Sequence, residues 1–172
     1  MAWKIDPAHT AVGFAVRHMM ISTVRGKFSK VDADVDIDPA NLSQAKVSAR
    51  IGAASVDTGE EKRDAHLRSP DFFDVEKYSN IEFKSTKVAQ SGQDLTVEGL
   101  LKIKDVEQPI TLKGEVIGPG KDPWGGMRLG FSLSAEIERE KWGLNWNQAL
   151  EAGGVLVAKK VKLELEVQLV QS

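Results

Sequence analysis

The feature that most constrains this chain is the parity of its large apolar residues. Successive side chains of a β-strand point to opposite faces, so apolar residues confined to odd or to even numbers mark a strand with one buried face. Val12, Phe14 and Val16 are even, with Ala11, Gly13, Ala15 and Arg17 between and around them. Val31, Ala33, Val35 and Ile37 alternate with Asp32, Asp34, Asp36 and Asp38. Val24, Gly26 and Phe28 are even again, so the phase slips once near Ser29 and Lys30, where a β-bulge keeps one buried face. Five more runs follow: Val47 to Ile51, Ile81 with Phe83, Leu95 to Ile103, Ile110 to Val116, and Leu129 to Ile137. The last run, Val161 to Leu169, extends backwards through Val157 and Val155. The expectation is eight strands.

Short turn-prone links such as QSGQD at 90–94, KDVEQP at 104–109 and GPGKDPWGG at 118–126 favour antiparallel neighbours. Eight such strands predict an all-β domain over residues 1–172, arranged as a sandwich or closed into a barrel, and closure leaves no edge exposed. A barrel of this size is filled by its own side chains or holds one small ligand. Here aromatic residues are 6% of the chain, and the expected inward set is mostly Val, Leu and Ile broken by Gly99, Gly114 and Gly130. Strands of ten residues or more, roughly 33 Å long, predict an elongated interior suited to an extended hydrophobic molecule.

Composition narrows the function classes. The 23 Lys and Arg are balanced by 25 Asp and Glu, which counts against nucleic acid as a partner. With no cysteine, disulfides, thiolate nucleophiles and cysteine metal sites are excluded. The opening MAWKIDPAHT shows no leader pattern, so cytoplasm is the default expectation, and periplasm the alternative if a leader has been removed. No stable membrane insertion is expected. The aspartates of VDADVDID lack the glycine and glutamate of a calcium loop and read as a solvated strand face.

One segment departs from strand periodicity: KRDAHLRSPDFFD at 62–74. Thr58 followed by Glu61 has the spacing of a capping box, Ser69-Pro70 stops the helix, and Pro70 opens one further helical turn through Phe73. Asp64 and Arg68 are spaced to pair on the surface. Leu67, Phe72, Phe73, Val75 and Tyr78 supply an apolar side, and His66 is the residue able to titrate near neutral pH.

These blocks together carry a resemblance. WKIDPAHT, FAVRHMMISTVRGKF, SVDTGEEKRDAHLRSPDFFD with IEFKST, LKIKDVEQPITL, and WGLNWNQALEAGGVLVAKKVKLELEV look like the YceI-like family in order and spacing, across essentially the whole chain. The resemblance implies a lipocalin-like, extended eight-stranded up-and-down antiparallel barrel with one short helix. It implies non-catalytic binding of polyisoprenoids, isoprenoid quinones or prenyl diphosphates, for transport, storage or sequestration, with no cofactor and a homodimer as the assembly. Departures from the family pattern sit at turns. Asp105 stands where glycine is common and must adopt a left-handed or turn conformation, Ala158-Lys159 replaces a frequent Gly-Asp turn, and Lys141 sits near where an acidic residue is usual.

The candidate ligand-binding residues on matching strands are Val12, Phe14, Val16, Phe83, Leu112, Phe131 and Leu133, though periodicity reports burial and does not separate a wall from a filling. Met19 and Met20 suit a pocket for flexible chains or a core corner. Phe72, Phe73 and Trp146 are candidates to close the opening; Trp3, Trp124 and Trp142 also lie in or beside predicted loops. Arg63, His66 and Arg68 are candidates to meet a polar head group. Two other classes stay open: an enzyme using His66 as base with Asp64 as orienter, and a scaffold protein with a filled barrel.

Overall fold

The computed structural model describes residues 2–148 and 156–171. Among them eleven strands form one antiparallel sheet. They are β1 (Trp3–Ile5), β2 (Ala11–His18), β3 (Ser22–Phe28), β4 (Val31–Asp36), β5 (Lys46–Gly52), β6 (Val56–Asp57), β7 (Asn80–Ser91), β8 (Asp94–Ile103), β9 (Val106–Lys121), β10 (Met127–Glu138) and β11 (Val157–Gln171). One helix, α1 (Glu61–Arg68), lies between β6 and β7. The neighbour order is β4-β5-β7-β8-β9-β10-β11-β2-β3-β6, and β1 takes over beside β11 where β2 leaves it. The result is the expected all-β, lipocalin-like architecture, a half-barrel curled around its apolar face. Val155 lies outside the described residues.

Three differences correct the expected eight-stranded closed ladder. β1 and β6 are too short for parity to reveal. The predicted bulged strand is a break into β3 and β4, which pair with opposite sides of the sheet. At the break Lys30 donates its N–H to Ser55 Oγ at 3.1 Å, and its carbonyl accepts the Gly52 N–H at 2.9 Å. Both backbone groups are thus taken by the 52–55 turn, and bulge and break shift the phase alike. Closure is also incomplete, because β1 lies alongside β4 but no ladder joins them among the described residues.

The inner face is packed unevenly. At one end Leu42, from the 3-10 turn Leu42–Gln44, joins Trp3, Val88, Leu95, Leu129 and Leu169 in a floor whose members are at most 6% exposed. Each such side chain stabilises by roughly 1.5–3 kcal/mol through burial. Further along, Val12, Phe14, Val16, Phe131 and Leu133 point inward yet are only half-buried. Glycine keeps this part roomy. A Cβ on Gly26 would stand 2.3 Å from the Phe14 ring, and one on Gly99 would stand 2.4 Å from the Phe83 ring. Both rings therefore lie against backbone rather than across the interior. Gly130 has the outward parity of its strand, correcting its place in the inward set.

Loop chemistry is also corrected in places. No side chain caps α1, whose N-cap residue is Glu60. In the β8–β9 turn Lys104, not Asp105, takes the left-handed conformation, with φ 60°. Ala158 and Lys159 are strand residues of β11, within an irregularity that falls between Val157 and Val161.

Candidate functional site: an apolar cavity with a charged rim

The half-barrel encloses a cavity of about 560 Å³, within the ~300–1,000 Å³ range of small-molecule sites. Its wall includes Val12, Phe14, Val16, Phe83, Leu112, Phe131 and Leu133, with Arg63, His66, Phe72, Phe73 and Trp146 at the α1 end. Met19 and Met20 are not on it. They occupy the β2–β3 turn with φ of 55° and 63° and face outward, which corrects their expected place in the pocket. The strand ends at His18, and parity has no meaning beyond a strand's end. Among the four tryptophans only Trp146 meets the cavity. Trp3 is in the floor, Trp142 is buried with its indole N–H donating to the Leu101 carbonyl at 2.8 Å, and Trp124 is 85% exposed.

The expected helix cap and surface ion pair resolve into a different network. Asp64 is buried and accepts from the Thr58 N–H at 2.9 Å and from the Thr58 hydroxyl. Arg63 donates from Nε to Thr58 Oγ1 at 2.7 Å and from Nη2 to the Thr58 carbonyl at 2.9 Å, while Nη1 stands 3.4 Å from Glu60. Thr58 is thus a hub that ties the start of the helix to the sheet. Arg68 turns away to the Ala54 carbonyl at 3.0 Å and Glu61 at 3.5 Å, so it neither pairs with Asp64 nor reaches the cavity.

His66 sits among aromatic rings, 4.5 Å edge-to-face from Trp146 and 5.2 Å from Phe72. Its Nε2 is 2.9 Å from Asp71, not Asp64, so the base–orienter pair considered from sequence is not assembled. A second aromatic row, Phe14, Phe28 and Phe73, has successive ring centres 5.7 Å apart. Such tilted and edge-on contacts add about 0.5–1.5 kcal/mol per pair. They hold the segment after α1 against the cavity's opening.

Several wall residues escaped the sequence reading, among them His18 and Arg139. These two continue the inward parity of their strands, His18 after Val16 and Arg139 after Ile137, and that was the available signal. Arg139 is 3% exposed and donates from Nε to Ala158 C=O, from Nη1 to Leu144 and Trp146 C=O, and from Nη2 to Val157 C=O. No carboxylate pairs with it among the described residues, and burial pushes its pKa down. Lys62 and Glu60 complete the charged rim. Away from the cavity, Asp32 and Asp34 pair with Arg50 at 2.8 and 3.1 Å, as a solvated strand face would.

The chain chemistry can do one thing well: replace water by hydrocarbon along the wall, at about 25 cal/mol per Å² of apolar surface, while keeping polar groups near one end. A model of the YceI-like domain matches residues 3–169. A UPF0312 protein of Vibrio cholerae is 38% identical over 165 residues, covering 95% of this chain and 83% of that protein. The crystal structure of the Campylobacter jejuni YCEI protein superposes with a TM-score of 0.78 at 32% identity, over 97% of this chain and 96% of that one. A polyisoprenoid binding domain from Saccharophagus degradans, implicated in plant cell wall breakdown, shares the fold with a TM-score of 0.69 at 15% identity, over 98% of each chain. With its half-barrel, its α1 end and its sequence blocks all accounted for by one domain description, the chain belongs to the YceI-like family.

Proposed function

We propose that this protein binds the chain of a long isoprenoid inside the half-barrel, as a carrier or store rather than a catalyst. The observation that carries this reading is the segregation of the wall. Its charged residues, Glu60, Lys62, Arg63 and Arg139, gather at the α1 end, and the remainder is almost entirely hydrocarbon. A ligand matching that pattern is long, apolar and polar at one end, as an isoprenoid quinone or a prenyl diphosphate is. The shared fold with a domain described as polyisoprenoid binding supports the same ligand class.

The head group lies among Arg63, His66, Lys62 and Arg139. A guanidinium favours phosphate oxygens through charge-assisted hydrogen bonds. Native mass spectrometry and an organic extract of purified protein test the reading: a bound isoprenoid is expected. No extracted lipid, together with no uptake of a long prenyl alcohol, removes it. Arg63→Ala should weaken a prenyl diphosphate about tenfold, a loss of ~1.4 kcal/mol, and a prenyl alcohol of equal length much less. Equal losses remove the assignment of the head group to this side chain.

A further inference from the structure

Met19, Met20 and Ile21 form the turn between His18 and Ser22 and are 46, 60 and 79% exposed. Met19 and Met20 hold positive φ, which Asn or Gly would adopt with less strain. Neither packing nor turn geometry asks for three large apolar side chains here, and a strained turn of this composition points to a use.

The turn belongs to the cavity's rim. His18 is on the cavity wall. The Met19 N–H donates to the Leu156 carbonyl at 2.7 Å, and the Leu156 N–H to the Gln148 carbonyl at 2.8 Å, two residues beyond Trp146. Several cations flank the turn, with Glu138 exposed opposite Lys160. Arg17 faces the irregular stretch of β11 that includes Lys159, and Lys62 is exposed on α1. The flanking carboxylates of Glu60 and Glu61 are engaged by Arg63 and Arg68. Among the described residues Arg17, Lys62 and Lys159 make no ion pair, whereas nearby Lys160 pairs with Glu136 and Lys162 with Glu164.

We propose that this turn docks the protein on an anionic bilayer, with Met20 and Ile21 entering the interfacial layer and Arg17, Lys62 and Lys159 meeting lipid head groups. Docking sets the cavity's rim against the phase in which an isoprenoid chain dissolves. Its purpose rests on the ligand reading above; its geometry does not. The whole chain carries a net charge of -2, so attraction to an anionic surface depends on this local patch. A second protein copy fits less well. Three side chains fall far short of the ~800 Å² per partner that stable interfaces bury, and a bilayer demands no matching shape.

The full chain is sedimented with vesicles of phosphatidylcholine alone and of phosphatidylcholine mixed with phosphatidylglycerol. Binding is expected to the mixed vesicles only and to weaken with salt. It should fall about tenfold in Met20→Ser/Ile21→Ser and clearly in Arg17→Gln/Lys159→Gln. Ile21→Ser alone, at a residue of ordinary φ, should give a partial loss. All three variants should take up a prenyl alcohol in vesicle-free solution as the parent does. The inference is overturned if the parent stays in the supernatant, or if the variants sediment as well as the parent. It is equally overturned if ultracentrifugation shows a dimer that Ile21→Ser dissociates. Vesicle binding without any prenyl alcohol uptake would support docking and remove the ligand reading instead.

Discussion

Arg128 and Arg139 stand at opposite ends of one strand, the first inside β10 near the floor and the second just past its end at the rim. Arg128 meets carboxylates: Nη1 lies 2.6 Å from Asp6 and Nε 2.8 Å from Asp122, with Gln168 at 2.8 Å. Its pKa rises through Asp122 and then Asp6. Arg139 meets carbonyls only, and burial lowers its pKa. The same side chain therefore closes a circuit at one end and leaves a positive charge uncompensated at the other. The floor is sealed in both packing and charge. The rim is held by Arg139's bonds to backbone carbonyls, with no carboxylate paired to that side chain among the described residues. Burying a charge without a counter-charge is costly unless polar groups surround it, so the arrangement persists because four carbonyls gain donors together.

Replacing both arginines by methionine tests that contrast directly. Arg139→Met should have the largest effect, about 4 kcal/mol lost from urea unfolding, because four carbonyls lose their donor in a buried place. A loss no greater than that of Arg128→Met would break the contrast. Leu42→Ala should follow at about 3 kcal/mol, the usual cost of a truncated buried leucine, with prenyl alcohol binding retained. A variant that keeps its stability but loses the ligand would mean the floor, not the rim, governs binding.

The smallest effect belongs to Asp6, whose carboxyl is held down at about 2 from 3.8, first by Arg128 and then by His9. A folded-state pKa below the unfolded value gives stabilisation that is complete above 3.8 and is lost as pH falls towards about 2. Asp6→Asn should lower the unfolding midpoint at neutral pH, converge with the parent as pH falls towards about 2, and so flatten the slope across that window. An unchanged slope would deny the floor its electrostatic seal.

Most of the wall was legible in the sequence, because strand parity is local. Val12, Phe14, Val16, Phe83, Leu112, Phe131 and Leu133 all lie where alternation predicts. His18 and Arg139 obey the same rule but are polar, and a search for apolar runs passes over them. Met19 and Met20 were misplaced because immediately past the strand's end at His18 the backbone turns left-handed and alternation stops. Thr58 and Asp64 show a further limit. Thr58 and Glu61 have the spacing of a capping box and Asp64 was expected to pair with Arg68, but the buried Asp64 carboxylate instead accepts from Thr58.

What the sequence determined alone is the long strands of the sheet, the antiparallel sense of their neighbours, and which face is oily, since alternation and turn residues act over a few neighbours. The tertiary structure decided whether that oily face is filled. Ring placement over Gly26 and Gly99, the break at Ser29 and Lys30, and the carbonyl partners of Arg139 depend on contacts between residues that are not chain neighbours, such as Lys30 with Ser55 and Arg139 with Ala158. Vacant volume is a property of all the walls at once, and no single stretch of chain carries it.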